Sequence, residues 1–141
     1  MCIRDRNFDS LDHQQQFLDL LDDEMPEELL LTPVCKLWSR MQSLGRRTSH
    51  QQEALVAARQ WHHDRHLCFV REAYLRQVKG GRHAHIEQPR DAKSWQTRAL
   101  RDLPGRLTDF SQCRYGAQCL DEDNQWRPVL KNTRILSLIH I

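Results

Sequence analysis

The sequence predicts an α/β fold: a partial, doubly wound and mostly parallel sheet with helices flanking it. Three observations predict it. Segments with helical spacing of apolar residues alternate with short apolar runs, those runs are bounded by proline or glycine, and a long central segment free of both joins the first two runs. Such alternation is what right-handed crossovers between parallel strands require.

Asp9 or Ser10 can cap a first helix through Phe17, Leu18, Leu20 and Leu21, one apolar stripe with Gln and Asp residues opposite. Met25-Pro26 ends it. Glu28-Leu29-Leu30-Leu31-Thr32 is a continuous apolar run, the pattern of a strand covered on both faces, and it enters a turn at Pro33-Val34-Cys35. Beyond a loop at Gly45-Arg46-Arg47, Thr48 or Ser49 caps a helix from His50 to Val78 whose buried stripe is Leu67, Val70, Tyr74 and Val78. Gly80-Gly81 stops that helix. His83 to Ile86 is a second strand running into Glu87-Gln88-Pro89, and Trp95 to Leu103 is a third helix closed by Pro104-Gly105. Leu107 to Phe110 and Val129 to Ile135 are two further strands, separated by turns at Tyr115-Gly116 and Asp121-Glu122-Asp123-Asn124.

The two ends read differently. Met1-Cys2-Ile3-Arg4-Asp5-Arg6 is what AGATGTGTATAAGAGACAG encodes from its ATG, and Leu136-Ser137-Leu138-Ile139-His140-Ile141 is encoded by the reverse complement, CTGTCTCTTATACACATCT. An inverted sequencing adapter around an insert accounts for both. The expected domain therefore spans residues 7–135, a piece of a larger protein, with 1–6 and 136–141 adapter-derived.

A formal net charge of +2, with both signs interspersed, lacks the cationic footprint of a dedicated nucleic-acid binder and leaves nucleic-acid contact open. No apolar run approaches the ~20 residues of a membrane helix, so no membrane partner is expected. Cys35, Cys68, Cys113 and Cys119 are scattered, without the dense spacing of a secreted disulfide scaffold. That points to a reducing, intracellular compartment, cytoplasmic or nuclear.

In open α/β sheets ligands bind beyond the carboxyl ends of the strands, and two predicted strands end in reactive residues, Cys35 and Glu87. Adjacent strands would bring them together, the thiol as nucleophile and the carboxyl as acid. The plainer alternatives are an inert Cys35 packed under the sheet and a Glu87 that caps the next helix or pairs with Arg90. His62 and His66 share a helix face at the spacing of two zinc ligands. His63, however, stands where the zinc-protease motif has glutamate, and no third ligand follows; the pair reads as a solvated face, and no metal is assigned. Arg46-Arg47, Arg98, Arg101 and Arg106 offer phosphate contacts, and Trp38, Trp61, Trp95 and Trp126 offer stacking surfaces, although packing accounts for most tryptophans.

Pro33-Val34-Cys35 after one strand and Glu87-Gln88-Pro89 after the next resemble the Pro-Pro-Cys and Glu-Asn-Val segments in the catalytic half of cytosine carbon-5 DNA methyltransferases. The chain is more similar still to methyltransferase-like, Rossmann-like domains in protist retroelement and integrase-type polyproteins. The matching positions are Thr32 to Cys35, Gly81-Arg82 through Glu87 and Pro89, Ser94-Trp95, Cys113-Arg114-Tyr115-Gly116 and Arg127-Pro128. Val34 departs from the second proline, and Gln88-Pro89 departs from Asn-Val. The resemblance implies DNA as partner, base flipping, attack of a Cys35 thiolate on carbon 6 of cytosine, and Glu87 at ring nitrogen 3. Pro33 and Gln88 would then shape the substrate pocket, and Arg127 would contact a phosphate or base. It implies S-adenosylmethionine as cofactor of the full-length parent only, since no Gly-x-Gly turn is present. On this reading the fragment is inactive alone, and its alternative is a degenerate, non-catalytic interaction or structural module within the remainder of a polyprotein.

Overall fold

The computed structural model describes residues 7–139. Helix α1 (Leu11–Glu24) ends where Met25 turns into the left-handed region at φ 43°, and strand β1 (Glu28–Leu31) follows. Helix α2 (Ser49–His62) continues through a π turn (His63–Leu67) into α3 (Cys68–Lys79), forming one unbroken rod. At its start the Thr48 hydroxyl and the Gln51 side chain satisfy each other's backbone amides, and at its end Gly81 supplies the positive φ that lets the chain leave. Strand β2 (His83–Pro89) then returns beside β1, in parallel, with Leu31 level with Ile86.

The expected mostly parallel, doubly wound sheet is not what forms. The sheet is mixed, of order β1-β2-β6-β3, where β3 is Arg106–Ser111 and β6 is Asn132–Ser137. Among the described residues only β1 and β2 pair in parallel; β6 runs antiparallel between β2 and β3. The cause lies after β2. A parallel neighbour needs a crossover of a dozen or more residues, usually a helix, and only the α2–α3 rod provides one. The expected third helix is instead a 3-10 turn (Lys93–Gln96) followed by irregular turns. Thr97 is extended at φ −72°, ψ 153°, and its hydroxyl donates to the Ser94 carbonyl at 2.7 Å, a local bond that competes with helix continuation. Its apolar residues still bury: Trp95, Ala99, Leu100 and Leu103 all reach the core. Between β3 and β6 the chain makes a separate two-stranded ribbon, β4 (Gln118–Leu120) and β5 (Trp126–Pro128).

Among the described residues no second layer of helices forms, and one sheet face is packed while the other is partly open. Ala84, Ile86 and Gln88 alternate onto the packed face at 1 % exposure or less. Leu30, expected to be covered, is 61 % exposed. Leu67, Val70 and Tyr74 of the rod are buried as the spacing predicts. Phe8 stacks on Phe69 at 5.2 Å, and Phe17 meets Phe69 edge-on at 5.6 Å, which fastens α1 to α3. Buried polar groups hold the strand starts: Gln77, fully buried, donates to the Pro26 carbonyl at 2.5 Å and accepts from Arg82 at 3.0 Å. Strand β6 runs through Leu136, 3 % exposed, and Ser137, 2 % exposed, past the boundary expected at residue 135. Residues 1–6 of the expected adapter segments lie outside the described residues. Among the described residues no helix is long and apolar enough to cross a membrane.

Gly105, at φ +132°, has no room for a side chain. A Cβ there would stand 3.0 Å from the Ser137 carbonyl and from the Tyr74 hydroxyl, which itself donates to the Pro104 carbonyl at 2.6 Å. Gly105→Ala is expected to lower the unfolding free energy by about 1–3 kcal/mol, read as a shift in urea midpoint at unchanged slope. An unchanged midpoint would show that this corner relaxes freely.

Candidate functional site

The parallel pairing of β1 and β2 brings their carboxyl ends side by side. Pro33 is buried after β1, and its carbonyl accepts a hydrogen bond from the Gln88 side-chain amide. Gln88 is 1 % exposed, and its oxygen accepts from the Ser94 hydroxyl at 3.2 Å, so one buried amide ties three segments together. Cys35 follows, half-buried; its carbonyl accepts the Trp38 and Ser39 amides, both at 2.9 Å, closing a turn.

That turn is anchored to the rod as well. The Trp38 indole N–H donates to His62 Nδ1 at 3.0 Å, and the Trp38 carbonyl accepts the Lys93 amide at 2.9 Å. Arg59 donates to the Leu37 carbonyl at 2.9 Å, and its guanidinium carbon lies 5.8 Å from the Trp38 ring centroid.

Three of the expected site residues, Pro33, Cys35 and Gln88, therefore share one strand end. Glu87 belongs to the same end but alternates onto the opposite sheet face from Gln88, in register with Ile135. Its Oε1 is sealed from solvent and has no hydrogen-bond partner. Among the described residues no hydrogen bond joins Cys35 to Glu87. Arg127 sits on the β4–β5 ribbon, where it pairs with Asp121 at 2.9 Å, and takes no part in the cluster. The four described cysteines are free thiols. The Cys68 thiol pKa is pushed up, by burial and then by Asp64.

No protein-family model, curated protein or solved structure matches this chain.

The histidines depart most from expectation. His62 is 6 % exposed rather than solvated. The π turn carries the helix past this point with an extra residue in its hydrogen-bond cycle, and it places the His62 and His66 rings 4.8 Å apart, between the rod and the turn that follows β1. Because Nδ1 of His62 accepts from Trp38, a neutral ring carries its proton on Nε2. That Nε2 and the Nδ1 of His66 are both sealed and without partners. Burial, then the neighbouring His66, pushes the His62 pKa down to about 4, against a smaller upward pull from Asp9. His66 is lowered for the same reason and lines a hollow of about 340 Å³ with Phe8, Phe17, Leu31, Pro33 and Phe69. A protonated Nε2 is a donor, not a metal ligand. Among the described residues no three His, Cys, Asp or Glu side chains are grouped to hold an ion. Sequence spacing could pair His62 with His66, but Trp38, the residue that buries His62, lies 24 positions away.

The depressed His62 pKa has a signed consequence. The unfolded ring titrates near 6.5 and the folded ring near 4, so its contribution is complete above pH 6.5 and is lost as the pH falls toward 4. Urea unfolding across that window should show the folding constant dropping by up to about tenfold per pH unit, and His62→Gln should flatten the drop. Equal slopes in both proteins would remove His62 as the cause.

Proposed function

We propose that this chain is the thiol-bearing part of a DNA cytosine methyltransferase-like domain, carried in a mobile-element polyprotein and inactive on its own. The observation that supports it is the parallel β1–β2 pair, which sets the Cys35 turn beside the end of β2 through the Gln88–Pro33 bond. The Cys35 thiolate, its proton lost to solvent, would add to carbon 6 of an unstacked cytosine as the carbon 5–carbon 6 double bond breaks and its electron pair passes into the ring, where a proton from the Glu87 carboxyl would balance it at nitrogen 3. Glu87 would hold ring nitrogen 3, and Pro33 and Gln88 would shape the wall against which the base rests. Arg127, on its ribbon, would contact the nucleic acid from outside the cluster. The described residues offer S-adenosylmethionine no glycine-rich turn after a strand, so no methyl-transfer step is assigned to this chain.

One observation favours a second reading, a non-catalytic module. Glu87 and Gln88 leave β2 on opposite faces, and it is Gln88 that holds the Cys35 turn. The two readings separate on single-stranded DNA carrying 5-azacytosine, which needs no base flipping and whose carbon 6 is electrophilic without methyl transfer. The expected result is a covalent protein–DNA adduct on intact-mass analysis, absent for Cys35→Ala and formed about a hundredfold more slowly by Glu87→Gln. No adduct, or one that persists in Cys35→Ala, removes the catalytic reading. Reading the parent transcript outward from Asn7 and Ile135 tests its setting: integrase-like or reverse-transcriptase-like sequence supports the polyprotein, and an immediate upstream stop codon sinks it.

A further inference from the structure

A cleft of about 490 Å³ opens beside the Cys35 turn, lined by Gln42, Arg47, Thr48, Ser49, Arg59 and Lys93 among others. Three of these are cations and no acidic side chain lines the cleft. Among the described residues none of the three cations forms an ion pair. Arg47 is held by two bonds to Gln42, the longer at 2.8 Å to the side-chain oxygen, which fixes its guanidinium at the rim. Arg59 is fixed by the Leu37 carbonyl and the Trp38 ring, and its Nη2 is buried without a hydrogen-bond partner. Among the described residues the Lys93 side chain has no hydrogen-bond partner, while its backbone amide is tied to Trp38. Helix α2 starts on the same wall with no acidic residue in its first turn, so its partial positive charge adds to the three whole ones. Like charges converge here with no acidic side chain to neutralise them, an arrangement that an anion relieves.

We propose that this cleft is a phosphate site for a nucleic-acid backbone, seating a phosphodiester next to the base that the Cys35 turn receives. The proposal rests on the DNA reading above for its partner. Its architecture follows that turn: Leu37 and Trp38, two and three residues after Cys35, are the anchors of Arg59 and Lys93. A strand held by the cleft is thereby held in fixed relation to the thiol.

The test is binding of a short labelled DNA duplex by anisotropy over a range of salt. Arg47→Gln with Lys93→Gln, both rim positions, is expected to weaken binding about tenfold or more and to flatten the slope of log affinity against log salt by about one for each cation removed from a phosphate. Arg76→Gln, at an α3 cation already paired with Asp22 and Glu72, should leave both unchanged. Melting curves of each variant confirm folding, and Arg47→Lys should restore part of the affinity. Equal losses for Arg76→Gln, or no change in the double variant, overturns the site. Binding of pyrophosphate without DNA overturns the nucleic-acid assignment. Loss of cleft binding in Arg47→Gln with Lys93→Gln while the wild-type protein forms no 5-azacytosine adduct would sink the catalytic reading and keep the site, so the two failures are distinguishable.

Discussion

A strand can lie parallel to its predecessor only if the chain crosses back over the sheet between them, and among the described residues one helical rod does so. The rod from Ser49 to Lys79 spans the distance, and Ala73 and Tyr74 on it are fully buried. Everything at the candidate site depends on that crossing. It aligns β1 with β2, and so sets Pro33 against Gln88 and the Cys35 turn at the strand end. Where no comparable element follows β2, the chain takes the antiparallel route that needs no crossover, and β6 fills the middle of the sheet.

Buried polar groups then decide which arrangement of these pieces is unique. Gln77 and Gln88 are each at or below 1 % exposure, and each spans two other segments through both ends of its amide. A slip of the sheet by one residue would leave those amides unpaired in the core, at a cost of about 1–3 kcal/mol each. Trp38 and His62 do the same for the turn after β1. Among the described residues those with sealed, partnerless side-chain atoms, His62, His66, Arg59 and Glu87, lie around the β1–β2 end of the molecule or on the rod beside it.

Helices with long stripes were legible. Leu67, Val70 and Tyr74 announce the buried face of the rod through their spacing, and Thr48 and Gly81 mark its ends, because stripe and cap are local properties of neighbouring residues. The segment from Trp95 to Leu103 shows the limit of that logic. Its apolar residues recur as a helix would place them and do reach the core, but Thr97 bonds to its own backbone neighbourhood and the stripe is met by turns. The apolar run of β1 misled in the same way: three leucines in succession resemble a strand covered on both faces, yet β1 lies at the sheet edge and Leu30 is exposed.

The sequence by itself determined where the two long helical segments lie and where β1 and β2 begin; those properties are set by steric and hydrogen-bonding choices within a few residues. The end of β2 was not among them, since the strand expected to stop at Ile86 runs on through Glu87 and Gln88 to Pro89. Only the tertiary structure decided strand direction, the separation of Glu87 from Gln88 onto opposite faces, and the burial of His62 by a tryptophan 24 positions distant. Those outcomes turn on desolvation and on hydrogen bonds between segments far apart in the chain, whose worth no local pattern of side chains records.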